Sequence, residues 1–369
     1  TDATMPLPRP RGPERQETNP RCPAQPIASS PIHMNGSGSK TTSSPSSTVD
    51  VIDVYTAMTT TVEVRVMAPL EFDLERAGDA SYEGLSFGPG DIDGDGHRDA
   101  IVVLREADIN AVDSGGVYIY AGGPEGLEPT PTRIISSSER RDYMGRSASI
   151  GDLNGDGLVD LIVGADGYDA GATDNGAVFI YLGVEGAFFE ATPSTMLPGL
   201  FGYDHHGFGV TMCDFDGDGH QDLAVSANYG EDRDVENIVT SQGAVHIYLG
   251  GEGGLAQEPT MSIYGKAPNE AGEWVSVKDL RMGEQLTSGY VDGDDRCDLI
   301  VASYRWKAIP SSSNDGLVVI YRGIAASDDG PGGVAPLPSR VIGETNQVNK
   351  TSQLGRRISA GDVNGDGFD

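Results

Sequence analysis

The sequence predicts an all-β fold assembled from repeated four-stranded sheets, and three observations point there. With 51 glycines and 22 prolines in 369 residues against only 25 Lys and Arg, the composition favours short strands and tight turns over long helices. An acidic motif recurs five times, and each complete copy is followed by one apolar strand signature. The hydrophobic content of 37% and charged content of 22% suit a chain of this length that buries a large core.

The acidic stretches are GDIDGDGHRDAIV from Gly90, GDLNGDGLVDLIV from Gly151, CDFDGDGHQDLAV from Cys213, GYVDGDDRCDLIV from Gly289 and GDVNGDGFD from Gly361. Their first loop positions, 91, 152, 214, 290 and 362, are 61, 62, 76 and 72 residues apart, a period that marks a repeat architecture. A hydrophobic residue and a glycine stand before each: Phe87-Gly88, Met144-Gly145, Phe208-Gly209, Met282-Gly283 and Leu354-Gly355. The complete units then carry GGVYIYAGG, GAVFIYLG, GAVHIYLGG and GLVVIYRG. Each unit reads as strand, acidic loop, strand, longer loop, strand, and a weaker strand such as TRIISSS at 132–138. Its two middle strands are continuous apolar runs, as a sheet covered on both faces requires. Small sheets stacked around an axis meet that requirement, so the expected architecture is a β-propeller. The units fall at about 84–139, 140–200, 201–265, 278–345 and 350–369, four full blades and the start of a fifth.

Residues 1–48 hold nine prolines and the segment SGSKTTSSPSST, which offers little to bury and reads as an extended linker. NGSGSKTT within it is not a phosphate loop, because Ser39 precedes Lys40 where glycine is needed and no apolar strand leads in. Folded structure is expected over 49–369, beginning with TVEVRV at 61–66, whose alternation places Val62, Val64 and Val66 on one face.

In each acidic loop, side chains at positions 1, 3, 5 and 9 converge when the backbone curls, and glycines at positions 4 and 6 permit the φ > 0 that such a curl uses. Carboxylates packed so closely repel by about 1 kcal/mol per pair in water and about 4 at an effective dielectric of 20, so a cation is needed. An all-oxygen, carboxylate-rich donor set favours Ca²⁺ over Mg²⁺, and no His or Cys recurs at zinc-ligand spacing. The expected ligands in loop one are Asp91, Asp93, Asp95, the carbonyl of His97 and Asp99. Loop two offers Asp152, Asn154, Asp156, the carbonyl of Leu158 and Asp160; loop three offers Asp214, Asp216, Asp218, the carbonyl of His220 and Asp222. Loop four is degenerate, with Tyr290 at position 1 and Asp295 at position 6, leaving Asp292, Asp294 and Asp298 as weaker candidates. Loop five carries Asp362, Asn364 and Asp366, and its ninth position lies beyond Asp369. An EF-hand would need Glu at position 12, where Val102, Val163 and Val225 stand.

The ordered triplet of hydrophobic-Gly, D-x-[DN]-G-D-G-x-x-D-L-I-V and G-x-V-x-I-Y, over about residues 82–369, resembles the FG-GAP repeats of integrin α-subunit propellers and related bacterial surface proteins. That resemblance implies a seven-bladed propeller with calcium loops between the first two strands of several blades. The fifth unit departs from it by stopping inside its loop; closing seven blades would take roughly 130 to 200 further residues.

The formal charge of −31 disfavours nucleic acid and anionic membranes as partners. No run reaches the eighteen or so apolar residues of a membrane helix, and TDATMPLPRP carries no signal-peptide h-region; a first residue other than Met leaves room for a removed leader. Three cysteines, Cys22, Cys213 and Cys297, are an odd set, and free thiols are expected. No nucleophile elbow, zinc-protease helix or dinucleotide fingerprint occurs. Asp204, His205 and His206 in GYDHHGFG offer groups for a second metal or ligand site but are read as a solvated loop between blades, while Trp274, Trp306 and Arg305 are candidates for partner contact or local packing. The function expected is a calcium-stabilised, non-catalytic adhesion or ligand-binding module that meets an extracellular protein or glycan. An extracellular, surface or periplasmic location suits loops of about 10⁻⁴ to 10⁻³ M affinity. The alternatives are the propeller part of a secreted glycan- or phospholipid-acting enzyme, and a lectin.

Overall fold

A computed structural model describes residues 85–369 apart from 234–237, 270–271, 308–314, 328–329, 344–352 and 365–368. The expected strand at 61–66, the linker 1–48, Cys22 and Asp366 lie outside the described residues. Blade one contains β1 (Leu85–Gly90), β2 (Asp99–Leu104), β3 (Gly116–Tyr120) and β4 (Arg133–Ile135). Blade two contains β5 (Met144–Gly151), β6 (Asp160–Ala165) and β7 (Ala177–Tyr181), then a small hairpin of β8 (Gly183–Val184) and β9 (Ala187–Phe189), and closes with β10 (Thr195–Pro198). Blade three contains β11 (His206–Cys213), β12 (Asp222–Ala227), β13 (Ala244–Tyr248) and β14 (Met261–Tyr264), and a hairpin of β15 (Lys266–Pro268) and β16 (Trp274–Ser276) follows it. Blade four contains β17 (Gln285–Gly289), β18 (Asp298–Ser303) and β19 (Leu317–Tyr321), a hairpin of β20 (Gly323–Ile324) and β21 (Gly333–Val334), and β22 (Arg340–Gly343). All four sheets are antiparallel, and no helix occurs among the described residues.

The period of two decides which blade each inner side chain meets. Ile101 and Val103 of β2 pack with Leu161 and Val163 of β6 and Phe179 and Tyr181 of β7, while Ala100 and Val102 gather with Tyr118 and Tyr120 on the other face. Ile162, Val178 and Ile180 of blade two meet Val210, Met212, Leu223 and Val225 of blade three. Ala224, Val245 and Ile247 then meet Leu299, Val301, Leu317 and Val319 of blade four. Every residue of β6, β7, β12, β13, β18 and β19 is therefore buried, which is why those strands read as unbroken apolar runs. Each fully buried aliphatic side chain contributes about 1.5–3 kcal/mol, so blade stacking supplies most of the stabilisation that a lone sheet lacks.

The same backbone contact recurs between each blade and the next. Met144 donates its N–H to the Ser114 carbonyl (3.0 Å), His206 to Asn175 (2.9 Å), Met282 to Gln242 (3.0 Å) and Leu354 to Asp315 (3.2 Å). The glycine after each acceptor, at 115, 176, 243 and 316, has φ of 74, 75, 81 and 86°. A Cβ on Gly176 would lie 2.1 Å from the His206 carbonyl oxygen. The glycine of the GxVxIY signature is thus the contact point for the following blade. Gly176→Ala should cost about 3 kcal/mol in urea unfolding, against about 1 for Gly186→Ala. Gly186 shares the positive φ (70°) but has open space around it, so the difference isolates the blade contact.

This contact corrects two of the hydrophobic-glycine pairs. In unit three the residue that pins the blade is His206, followed by Gly207, and not Phe208-Gly209. In unit one Phe87 pairs with Ile101, in mid-strand, whereas Met144 pairs with Ala165 at the strand end. The pin stands eight residues before loop position 1 in each case, at 144, 206, 282 and 354 before 152, 214, 290 and 362, so unit three is misplaced because histidine occupies the position where the other units carry Met or Leu.

Candidate metal centres

The acidic loops join the first two strands of each blade, and their first residue organises the curl. Asp214 accepts N–H bonds from Gly217 (2.7 Å), Asp218 (3.1 Å) and Gly219 (3.0 Å); Asp152 accepts from Gly155 (2.8 Å), Asp156 (3.0 Å) and Gly157 (2.8 Å). In loop one Asp91 holds Gly96 at 2.8 Å. Positive φ at Gly94, Gly96, Gly155, Gly157, Gly217 and Gly219, between 76 and 92°, makes these turns possible.

The same curl brings oxygens together. Carboxylate oxygens of Asp91, Asp93 and Asp95 lie within 4.8 Å of one another, and so do those of Asp214, Asp216 and Asp218. In loop two Asp152 and Asp156 flank Asn154, whose Nδ2 donates to Asp156 at 2.9 Å. Burial and then mutual repulsion raise the carboxyls of Asp93 and Asp216 above the ordinary range, the cost expected of crowded charge. The donor set is all oxygen and carboxylate-rich, which fits a hard divalent cation at loops one, two and three.

Position 9 also has a structural job that spacing does not reveal. Asp160 is fully buried, accepting the Leu153 N–H on one oxygen and the Gly183 N–H on the other, both at 2.8 Å. Asp99 ties Ile92 (2.6 Å) to Gly122 (2.7 Å), and Asp222 ties Phe215 to Gly250, both at 2.8 Å. Asp298 repeats the bridge between Val291 (3.2 Å) and Gly323 (3.0 Å). The ninth carboxylate therefore fastens the head of the loop to the turn after the third strand. Burial pushes Asp222 up to about 7, which a neighbouring cation would reverse. The N–H groups of His97, Leu158 and His220 donate to the position-5 carboxylates at 2.8 Å each, holding the seventh residue against the curl.

Loop four is built otherwise. Tyr290 offers no carboxylate to collect the N–H groups, and Asp295 does not take the positive φ of the glycines it replaces. Arg322 donates from Nε to Asp292 and lies 3.7 Å from Asp294, while Arg296 pairs with Asp294 at 2.5 Å. Asp292 and Asp294 do not fit a cation site as they stand. In loop five Asp362 and Asn364 are described at the end of the chain and Asp366 is not.

Cys213 and Cys297 form a disulfide with Cα atoms 6.0 Å apart, correcting the expectation of free thiols. Cys213 immediately precedes loop three and Cys297 occupies position 8 of loop four, where its N–H donates to the Asp214 carbonyl at 3.1 Å. An odd total concealed the pair because the third cysteine, Cys22, lies in the N-terminal segment.

The opposite ends of the blades carry basic and aromatic side chains. Buried Asp166, just past β6, meets Arg105 (3.3 Å), Arg146 (3.9 Å) and His205 (3.9 Å). Arg105 stacks on Tyr143, Arg146 on Phe208 and Arg281 on Tyr229 with guanidinium-to-ring distances of 3.8, 3.6 and 4.3 Å. Glu284, buried beside Arg305 (2.9 Å), is pushed up to about 7 by burial despite that arginine and Arg281. Trp306 belongs to the core between blades three and four, Trp274 packs partly against it, and Arg305 remains exposed.

Asp204, His205 and His206 do not form a solvated loop. Asp204 is buried, with burial raising it to about 6, and His206 is a fully buried strand residue whose Nε2 meets the Tyr248 hydroxyl at 3.2 Å. Its neighbour His246 is lowered to about 4 by burial. An unfolded histidine titrates near 6.5, so below that pH the unfolded chain takes up a proton the fold refuses, and the contribution of this histidine to stability falls as pH drops from 6.5 towards 4. For His246 this amounts to roughly 3 kcal/mol. His246→Phe, which installs the residue blade two has at Phe179, should flatten urea-unfolding free energy between pH 6.5 and 4.5 relative to the parent chain.

Comparison with known proteins agrees with this geometry. The FG-GAP repeat family matches residues 144–181 and 206–248, which span the acidic loop and the pinned glycine of blades two and three. These units are FG-GAP repeats. The chain is 29% identical to integrin alpha-5 of Xenopus laevis over 234 residues, 61% of this chain and 20% of that subunit. It is 31% identical to mouse (Mus musculus) integrin alpha-IIb over 182 residues, 47% of this chain and 16% of the subunit. A third relative is phosphatidylinositol-glycan-specific phospholipase D of Mus musculus, 30% identical over 146 residues, 38% of this chain and 17% of the enzyme. The chain spans about a fifth or less of the length of these relatives. Within it, four four-stranded sheets are complete among the described residues as blades of an all-β propeller, and blades two and three are the ones that match the FG-GAP repeat.

Proposed function

We propose that this FG-GAP propeller is a calcium-stabilised, extracellular module that binds a protein or glycan ligand without catalysing its conversion. The observation that carries the metal assignment is the convergence of three carboxylates at loops one and three, on turns shaped by positive-φ glycines. Calcium there would be held by Asp91, Asp93 and Asp95, by Asp152, Asn154 and Asp156, and by Asp214, Asp216 and Asp218, with the carbonyls of His97, Leu158 and His220. The ninth-position aspartates Asp99, Asp160 and Asp222 would support the site while fastening the loop. Calcium would offset the repulsion within each loop and so rigidify the start of each blade. The Cys213–Cys297 disulfide suits an oxidising compartment and supports an extracellular location. No helix of the described residues is long and apolar enough to cross a membrane.

Ligand binding rests on the integrin alpha relatives, and the aromatic and arginine groups at the ends opposite the acidic loops are the surface we assign to it. The test is binding of the whole chain to panels of extracellular proteins and glycans in 2 mM CaCl₂ and in EGTA, a concentration chosen to be roughly at or above the affinity of such sites. Saturable binding that is lost in EGTA and weakened by Asp152→Ala/Asp214→Ala is expected; binding indifferent to EGTA, or turnover of a bound polysaccharide, would overturn the reading. The phospholipase D relative favours a second reading, in which this propeller accompanies a catalytic unit of a secreted enzyme.

A further inference from the structure

Loop four differs from loops one to three by more than a lost ligand. The residue after the IY of the third strand is Ala121 in blade one, Leu182 in blade two and Leu249 in blade three, but Arg322 in blade four. Tyr290 and Asp295 replace the first aspartate and second glycine of the same blade's loop. Arg322 reaches back to Asp292 and to Oδ2 of Asp294, and Arg296, at position 7, pairs with that same Oδ2 while its Nε donates to the Gly323 carbonyl at 3.2 Å. Asp294 Oδ1 and Asp292 Oδ1 still cap the Arg296 and Asp294 N–H groups at 2.9 and 3.1 Å, so the first half of the curl survives.

We infer that Arg322, assisted by Arg296, is a built-in cation that replaces the metal at loop four, making blade four independent of calcium while blades one to three depend on it. A guanidinium carries one fixed charge and several donors in a planar fork, matching two carboxylates. Because it is covalently attached, its occupancy does not follow the calcium concentration. A divalent ion entering loop four would have to displace Arg322 and would then find neither a carboxylate at position 1 nor the glycine at position 6; losing charged ligands weakens such sites over decades of affinity. The propeller is thereby polarised: on calcium depletion the loops of blades one to three lose order, and blade four, stapled to blade three through Cys213–Cys297, keeps its own. This inference rests on the calcium reading of the other loops.

The test is hydrogen exchange of the full chain in 10 mM CaCl₂ and in EGTA, followed in peptides covering 91–99, 152–160, 214–222 and 290–298. For a site of about 1 mM affinity, exchange in the first three should slow about tenfold, and in the fourth by less than about twofold. Slowing at all four loops would overturn this inference alone; slowing at none would overturn the calcium reading with it. Tyr290→Asp/Asp295→Gly/Arg322→Leu, which restores the pattern of the other blades, should make 290–298 respond about tenfold as well. A folded variant whose loop four stays indifferent to calcium would remove Arg322 from the role. If the variant does not fold, the comparison among the four wild-type loops decides.

Discussion

Calcium at 10 mM should raise the thermal midpoint of the EGTA-treated chain by roughly 10 °C. Each site of about 1 mM affinity adds about 1.4 kcal/mol at that concentration, and three sites add about 4, provided the unfolded chain does not bind. The shift should follow the logarithm of calcium concentration once sites fill, because it is a mass-action effect. Magnesium should give much less, since the loops supply curled, multi-carboxylate oxygens rather than a rigid octahedron. Asp214→Ala should remove about a third of the calcium response and, because Asp214 also holds three backbone N–H groups, lower the midpoint in EGTA too. Differential scanning calorimetry at several calcium concentrations is the measurement. A midpoint unmoved by 10 mM calcium would remove the metal from all three loops.

Reduction of the Cys213–Cys297 bridge should cost about 4 kcal/mol, the second large effect. The bridge closes a loop whose ends are 84 residues apart in sequence, and the chain-entropy argument assigns such a loop between about 4 and 5 kcal/mol as an upper bound. Urea unfolding with and without a phosphine reductant reads the loss. Cys213→Ala/Cys297→Ala should start near the reduced parent and show no response to reductant. Because Cys213 adjoins Asp214, the reduced chain should also show a smaller calcium response at loop three than at loops one and two. Two free thiols at these positions in the non-reduced, denatured protein would contradict the bridge.

Much of the architecture was legible because it is local and periodic. The apolar runs DLIVGA and AVFIY, the acidic spacing and the recurring glycine each lie within a dozen residues, so repetition exposes them without knowledge of the fold. The pattern also indicated where oxygens converge: Asp91, Asp93 and Asp95 meet, as do Asp214, Asp216 and Asp218. It was silent on the division of labour within the loop. Asp160 occupies a ligand position by spacing, and each of its oxygens also accepts an N–H, one from Leu153 and one from Gly183, the second 23 residues away. His206 escaped for a simpler reason: it holds the position of Met144 and Met282, eight residues before the loop, but a histidine there breaks the hydrophobic-glycine pattern that Phe208-Gly209 imitates.

The sequence by itself determined a repeat of four-stranded blades, their buried inner strands and an oxygen-rich curl at the head of each, because short-range periodicity carries all three. Tertiary structure alone decided which residues of different segments meet: Cys213 with Cys297, Arg322 with Asp292, Asp166 with Arg105 and Arg146. These partners are separated by between 20 and 84 residues and belong to different strands or blades. Their proximity follows from how sheets stack and where loops fold back, which no local pattern encodes.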